Sequence, residues 1–66
     1  MPVKVRELLK SLEKDGWYVD RIRGSHRQLC HPTKLGTVTV SGHLPDDVHP
    51  KTLRSVLRQA QLEDDS

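Results

Sequence analysis

Residues 17–31 read WYVDRIRGSHRQLCH, a segment that predicts two β-strands joined by a tight turn. Residues 17–22 are rich in the aromatic and β-branched side chains that favour strands. Residues 23–25 contain the Gly-Ser pair typical of a turn, and residues 26–31 form a second strand with Leu29 as its apolar anchor. The segment therefore predicts an antiparallel hairpin near the middle of the chain.

A third strand is predicted after a connection that begins at Pro32 and ends at Gly36. Residues 37–41 alternate between polar and apolar side chains, so that Val38 and Val40 point inward together. Three short strands with short connections predict an antiparallel meander. The following segment, residues 42–50, contains two prolines and is predicted to be irregular.

Strict alternation along the first strand divides its side chains between two faces. One face would carry Trp17, Val19 and Arg21, and the other would carry Tyr18, Asp20 and Ile22. The single tryptophan is expected to fill the small core. The single tyrosine is then the one aromatic side chain free to stack on a nucleic-acid base.

Two amphipathic helices flank the meander. Apolar side chains recur at i, i+3, i+4 and i+7 in residues 4–14 and again in residues 51–61. Gly16 suits the end of the first helix, and Pro50 suits the start of the second. We predict an α+β domain with a two-layer α-β-β-β-α fold, in which both helices cover one face of a three-stranded antiparallel sheet and the other face stays open.

The composition limits the classes of protein that the chain can represent. Its 66 residues predict one domain, residues 1–62, followed by a flexible acidic tail, residues 63–66. Cys30 is the only cysteine, so no internal disulfide can form, and a reducing cytoplasmic environment is favoured. No apolar run is long enough for a membrane span or a signal peptide, so we expect no membrane partner.

Basic charge is concentrated in the middle of the chain. The formal net charge is only +2, yet residues 21–45 contain no acidic residue. That segment holds Arg21, Arg23, Arg27, Lys34, His26, His31 and His43. Such a concentration of basic charge indicates a polyanionic partner, and the open sheet face offers RNA a surface on which to bind.

The sharpest local feature is Gly24-Ser25-His26-Arg27, which places a histidine just past a glycine turn and between two arginines. Histidine can give and take protons near neutral pH. Arginines can hold a phosphate and offset the negative charge that grows in a transition state. A surface histidine without a catalytic role is the alternative interpretation of the same residues.

The histidines and Cys30 also raise the question of a metal site. Alternation places His26 and His31 on opposite faces of the sheet, so one metal ion could not easily take both as ligands. No thiolate or carboxylate partner occurs at the spacing of a zinc site. We therefore expect no metal and no other cofactor.

Four motifs occur in an order that matches one known family. They are Lys14-Asp15-Gly16-Trp17, Arg23-Gly24-Ser25-His26 with His31-Pro32, Val38-Thr39-Val40 with His43, and residues 52–60. They span nearly the whole chain and resemble the HicA family of small toxins, the mRNA interferases of type II toxin–antitoxin modules. This resemblance implies a double-stranded-RNA-binding-like α-β-β-β-α fold and ribonuclease activity. It also implies a catalytic role for His26 and neutralisation by a HicB-type antitoxin.

Three hypotheses about function remain. The first is a metal-independent endoribonuclease that cleaves mRNA or other RNA, with His26 as general acid or base. Its RNA contacts would be Arg23, Ser25, Arg27, Lys34 and His43, and His43 is also the candidate for a second proton-transfer group. The alternative is a non-catalytic RNA-binding domain that uses the same basic face. The third is an interaction domain whose helices pair with a partner protein.

Overall fold

The computed structural model describes residues 3–62, which form a small α+β domain. Its elements are β1 (Val3–Lys4), α1 (Val5–Lys14), β2 (Tyr18–Arg23), β3 (His26–Cys30), β4 (Val38–Ser41), β5 (Asp47–Val48) and α2 (Pro50–Gln59). The strands β2, β3 and β4 form an antiparallel sheet in that order, and β1 pairs with β5. The two predicted helices and the predicted three-stranded meander are confirmed. The predicted tail, residues 63–66, lies outside the described residues.

The two-stranded ladder of β1 and β5 was not predicted, and part of the segment expected to be irregular is therefore a strand. Val3 pairs with Val48 and Lys4 with Asp47, whose side chains also form an ion pair at 2.8 Å. The backbone N–H of Val5 donates to the carbonyl oxygen of Asp46 at 2.9 Å. Strands of two residues are too short to show an alternating pattern, so sequence periodicity cannot detect them.

The core lies between the helices and one face of the three-stranded sheet. One cluster of buried side chains contains Val5, Leu8, Leu9 and Leu12 of α1, Val56 of α2 with Ala60, and Leu29, Val38 and Val40 of the sheet. Trp17 belongs to the same cluster and is 1% exposed, as its predicted core role requires. Because both helices share this cluster with the inward side chains of β3 and β4, they cover the same face of the sheet.

The histidine that follows β3 holds the end of α1 in place. The side chain of His31 is 8% exposed, and its Nδ1 accepts hydrogen bonds from the backbone N–H groups of Thr33 and Lys34, both at 3.1 Å. The ring proton therefore lies on Nε2, which donates to the carbonyl oxygen of Asp15 at 2.6 Å. The ring also packs edge-on against Trp17, with centroids 5.1 Å apart. The side chain of His31 thus links the C-terminal end of α1 to the segment that follows β3.

Gly16 is required at this contact for two reasons. Its φ of +108° lies in a region that side-chain-bearing residues rarely adopt. A Cβ at this position would also lie 2.7 Å from Nε2 of His31. The predicted glycine at the helix end is confirmed, and its close packing against a histidine 15 positions along the chain adds a constraint that local sequence does not reveal.

Lys34 connects the C-terminal ends of both helices. Its ammonium group donates to Oδ2 of Asp15 and to the carbonyl oxygen of Ala60, the latter at 3.1 Å. The hydrogen bond from Lys34 is the main reason why the pKa of Asp15 lies below its ordinary value of 3.8, and the positive charge of Lys34 acts in the same direction. The folded protein therefore favours the ionised form of this carboxyl group.

The free energy of unfolding should depend on the charge of Asp15. Since the pKa is lowered in the folded state, the stabilisation is present above pH 3.8 and is lost as the pH falls below that value. Asp15→Asn keeps a hydrogen-bond acceptor but removes the charge. In urea unfolding, we expect the variant to be less stable than the wild type at neutral pH, with the difference closing in acid. Asp20→Asn, which changes an exposed carboxylate on β2, is the matched control. A difference for Asp15→Asn that stays constant through the acid range would contradict this prediction.

Candidate functional site

An irregularity in β2 determines which of its side chains reach the open face of the sheet. Val19 pairs with Leu29 and Arg21 with Gln28, so β2 has one more residue than β3 between these pairs. Paired residues share a face. Because Leu29 is buried, Val19 faces the helices, while Tyr18 and Arg21 both face the open side.

The sequence-based prediction for the two faces of β2 was therefore wrong at two residues. Arg21 does not share a face with Trp17 and Val19, and Ile22 does not share one with Tyr18. Ile22 pairs with Arg27, whose other neighbour is the buried Val40, so both lie on the helix side of the sheet. An extra residue in a strand inverts the alternation beyond it, and strict periodicity cannot anticipate this change.

Three cross-strand rows make up the open face. We name them by one member each: the His26 row is Arg23, His26 and Ser41, the Gln28 row is Arg21, Gln28 and Thr39, and the Tyr18 row is Tyr18 and Cys30. A depression of about 330 Å³ crosses the first two rows and is lined by Arg21, Arg23, His26, Gln28 and Thr39. The sheet thus has the open face that the sequence predicts, and that face carries arginine, histidine, glutamine and threonine side chains. Its depression is large enough to receive small polar groups of a ligand.

A two-residue turn sets the position of His26. Gly24 has a φ of +56°, and Arg23 pairs directly with His26 across the turn. A glycine with positive φ at the first central position is typical of the type II′ turns that match the twist of a hairpin. His26 is exposed at the start of β3. The turn therefore places an accessible imidazole beside Arg23 at one end of the depression.

Arg27 has a different environment from His26 although the two are adjacent in sequence. Its side chain lies on the helix side, and Nη1 donates to the carbonyl oxygen of Gly42 at 2.9 Å. The N–H of Gly42 in turn donates to the carbonyl oxygen of Ser25 at 3.1 Å. Arg27 thus holds the start of the loop after β4 next to the β2–β3 turn.

The loop that carries His43 begins beside the His26 row. Ser41 pairs with His26, and the exposed His43 follows two residues later. Its backbone N–H donates to Oδ2 of Asp46 at 3.0 Å, which fixes the first turn of the loop. Of the predicted site residues, Arg23, Ser25 and the loop with His43 adjoin His26. Lys34 is engaged at the helix ends and does not line the depression.

Three lining residues, Arg21, Gln28 and Thr39, were not among the predicted site residues. The alternation of side chains along β3 and β4 could have placed two of them on the open face. Gln28 is adjacent to the buried Leu29, and Thr39 lies between two inward valines. Arg21 was part of the predicted basic segment, but the irregularity in β2 concealed its face. Two arginines of β2, Arg21 and Arg23, therefore border the depression, whereas only Arg23 was among the predicted site residues.

The remaining histidine has a local structural contact. Nδ1 of His49 accepts a hydrogen bond from the N–H of Lys51 at 3.1 Å and caps the start of α2. Within residues 3–62, no three His, Cys, Asp or Glu side chains form a group that could hold a metal ion. In the same part of the chain, neither helix has the length and apolar character needed to cross a bilayer.

Comparison with known proteins identifies the class of protein to which this small α+β domain belongs. Residues 5–62 match the family model of the HicA toxin of bacterial toxin–antitoxin systems. The chain therefore belongs to the HicA toxin family, and a toxin–antitoxin system implies a cognate antitoxin as partner. A search of curated proteins gave no significant match.

Proposed function

We propose that this HicA-family toxin is a metal-independent endoribonuclease in which His26 acts as a general acid or base. The observation that carries the proposal is the exposed imidazole of His26 beside Arg23, in a depression that Arg21 also lines. Histidine suits proton transfer near neutral pH, and guanidinium groups suit the binding of a phosphate. Family membership and the three-stranded antiparallel sheet between two helices, with one face left open, also support the proposal of a double-stranded-RNA-binding-like fold, to which the β1–β5 ladder is an addition.

RNA supplies the nucleophile for this reaction. The 2′-hydroxyl gives its proton to a base, and its oxygen forms a bond to the adjacent phosphorus. The bond from phosphorus to the 5′ oxygen breaks, and that oxygen takes a proton from an acid. The products are a 2′,3′-cyclic phosphate and a 5′-hydroxyl. His26 provides one of the two proton transfers, and His43 is the proposed second group.

Positive charge beside the reacting phosphate is the second requirement of this chemistry. Arg23 pairs with His26 across the turn, and Arg21 lies on the same face in the next row. Together they can offset the charge that develops on the phosphate oxygens. Ser25 completes the turn that presents His26. Arg27 donates a hydrogen bond to Gly42, and Lys34 donates to Asp15 and Ala60. Contact of either side chain with RNA would therefore require it to give up these partners.

The salt dependence of RNA binding should show which of the two arginines that flank His26 in the sequence, Arg23 or Arg27, contacts a phosphate. Each phosphate contact on a single strand contributes about 0.7 to the slope of log affinity against log salt concentration. Using RNA in which every 2′-hydroxyl is methylated, we expect Arg23→Ala to reduce the slope by about this amount. Arg27→Ala should leave it unchanged, as should the control Arg54→Ala on α2. An unchanged slope for Arg23→Ala, or a reduced one for Arg27→Ala, would reverse the assignment.

Cleavage in the absence of free metal ions tests the proposed enzyme against the alternative of a non-catalytic RNA-binding domain. The protein is incubated in excess EDTA with single-stranded RNA and, separately, with DNA of the same sequence. We expect fragments from RNA alone, because DNA lacks the 2′-hydroxyl. Retention of intact RNA on a native gel, without fragments, would support the binding domain instead.

The antitoxin is proposed to be of the HicB type and to cover the open sheet face. Within residues 21–45 there is no acidic residue, so an acidic surface on the partner would complement this face and exclude RNA from it. Acylation by diethyl pyrocarbonate, followed by mass spectrometry, should show strong modification of His26 in the free toxin and protection in the complex. His49, at the start of α2, is the internal reference. Equal modification of His26 in both states would count against this mode of inhibition.

A further inference from the structure

We propose that the open face is a track for single-stranded RNA, in which Tyr18 stacks on the base that lies two nucleotides from the cleaved phosphate. The nucleotide between them lies over Gln28 and Thr39. This inference rests on the proposed function and adds to it the number and the order of the nucleotides that the site contacts.

The first observation is the position of Tyr18. It is 50% exposed, although the other aromatic residue of the chain, Trp17, is 1% exposed. Tyr18 pairs with Cys30 and faces away from the helices, and the extra residue in β2 places Arg21 on this same face. An accessible ring on an otherwise polar and basic face offers the kind of platform on which unpaired bases stack.

The second observation is the spacing of the three rows. Residues on one face of an antiparallel strand lie about 6.8 Å apart, twice the rise per residue. His26, Gln28 and Cys30 are successive residues of this kind on β3, and Cys30 pairs with Tyr18. One row therefore separates the His26 row from the Tyr18 row. This spacing is close to that of successive phosphates in an extended single strand, so each row corresponds to one nucleotide.

The third observation is the chemistry of the middle row. Gln28 and Thr39 are directly paired, and their side chains provide an amide and a hydroxyl, each of which can donate and accept hydrogen bonds. Such groups read the edges of unpaired bases. Arg21, in the same row, can hold the phosphate of that nucleotide. The order along the track is thus cleavage at the His26 row, base contact at the Gln28 row and stacking at the Tyr18 row.

Binding of an RNA that cannot be cleaved tests the track independently of catalysis. With a fully 2′-O-methylated oligonucleotide, we expect Tyr18→Ala to weaken binding by about 5- to 150-fold, the range measured for loss of one stacked base. Tyr18→Phe keeps the ring and should retain the affinity. Ile22→Ala is the matched control, since Ile22 is 61% exposed on the same strand but faces the helix side. Wild-type affinity in Tyr18→Ala would overturn the proposal.

An abasic scan of the same oligonucleotide locates the stacked base. The cleaved bond is first mapped on unmodified RNA with the wild-type protein. We expect one abasic position, two nucleotides from that bond, to weaken binding by the wild type and to have no further effect on Tyr18→Ala. A scan in which the two proteins lose affinity equally at every position would overturn the stacking role. If the wild type cleaves no RNA, the proposed ribonuclease fails, while the Tyr18-dependent abasic position still tests the track.

Discussion

Replacing His26 with alanine is expected to lower the rate of RNA cleavage by about 10²- to 10⁴-fold, the usual contribution of a general acid or base. The domain should remain folded, because the side chain is exposed at the start of β3 and lies outside the buried cluster. RNA binding should persist in part, since Arg21 and Arg23 still border the depression. Cleavage kinetics, a thermal melt by circular dichroism and a binding assay measure the three properties separately.

The outcomes for His26→Ala have distinct meanings. A folded variant that binds RNA without cleaving it supports proton transfer by His26. A variant that unfolds would show that His26 is structural. A folded variant that cleaves at the wild-type rate would contradict the catalytic assignment, and His43→Ala would then be the next substitution to test.

Replacing His31 with alanine is expected to destabilise the domain, with a loss of about 2–4 kcal/mol in the free energy of unfolding. His26→Ala, in contrast, should affect cleavage and leave the fold intact. The His31 substitution leaves two backbone N–H groups, those of Thr33 and Lys34, without the Nδ1 acceptor that they share. It also removes the edge-on contact with Trp17 and the hydrogen bond to the carbonyl oxygen of Asp15. A loss of this size is a large part of the stability of so short a domain. Chemical denaturation measures it, and wild-type stability in His31→Ala would contradict the prediction.

Gly16→Ala provides a matched test of the same contact. Alone, it should destabilise the domain, because the new Cβ would lie 2.7 Å from Nε2 of His31 and the φ of +108° is unfavourable. Combined with His31→Ala it should cost less, since the steric part of the penalty disappears with the ring. Simple additivity of the two free-energy changes would contradict the close contact between these residues.

Much of the fold could be predicted because it depends on periodic local patterns. The apolar stripe of α1 and the inward valines of β4 follow from spacing, and the buried Trp17 follows from the need of so small a core for its single tryptophan. The β1–β5 ladder could not be predicted, because its pairing joins residues more than 40 positions apart through strands of two residues. The irregularity in β2 could not be predicted either, because the sequence of one strand does not show whether its residues pair one to one with those of the neighbouring strand.

The exposure of His26 could be predicted because it depends on a local turn, whereas the hydrogen-bond partners of Arg27 and Lys34 could not, because they are distant in sequence. Gly24-Ser25 was sufficient to indicate an accessible His26. Arg27 and Lys34 were selected for their charge and position in the chain, but charge does not reveal that Gly42, Asp15 and Ala60 accept their hydrogen bonds. These partners lie 15 or more positions away and are brought close only by the tertiary fold.

The chemistry of the RNA ends formed in excess EDTA tests cleavage by His26 most directly. Attack by the 2′-hydroxyl must leave a 2′,3′-cyclic phosphate on one fragment and a 5′-hydroxyl on the other. Mass spectrometry of the fragments should show these ends with the wild-type toxin, and His26→Ala should form them at a rate reduced by about 10²- to 10⁴-fold. Fragments with a 3′-hydroxyl and a 5′-phosphate would instead show that an external nucleophile attacks the phosphate, and they would contradict the proposed mechanism.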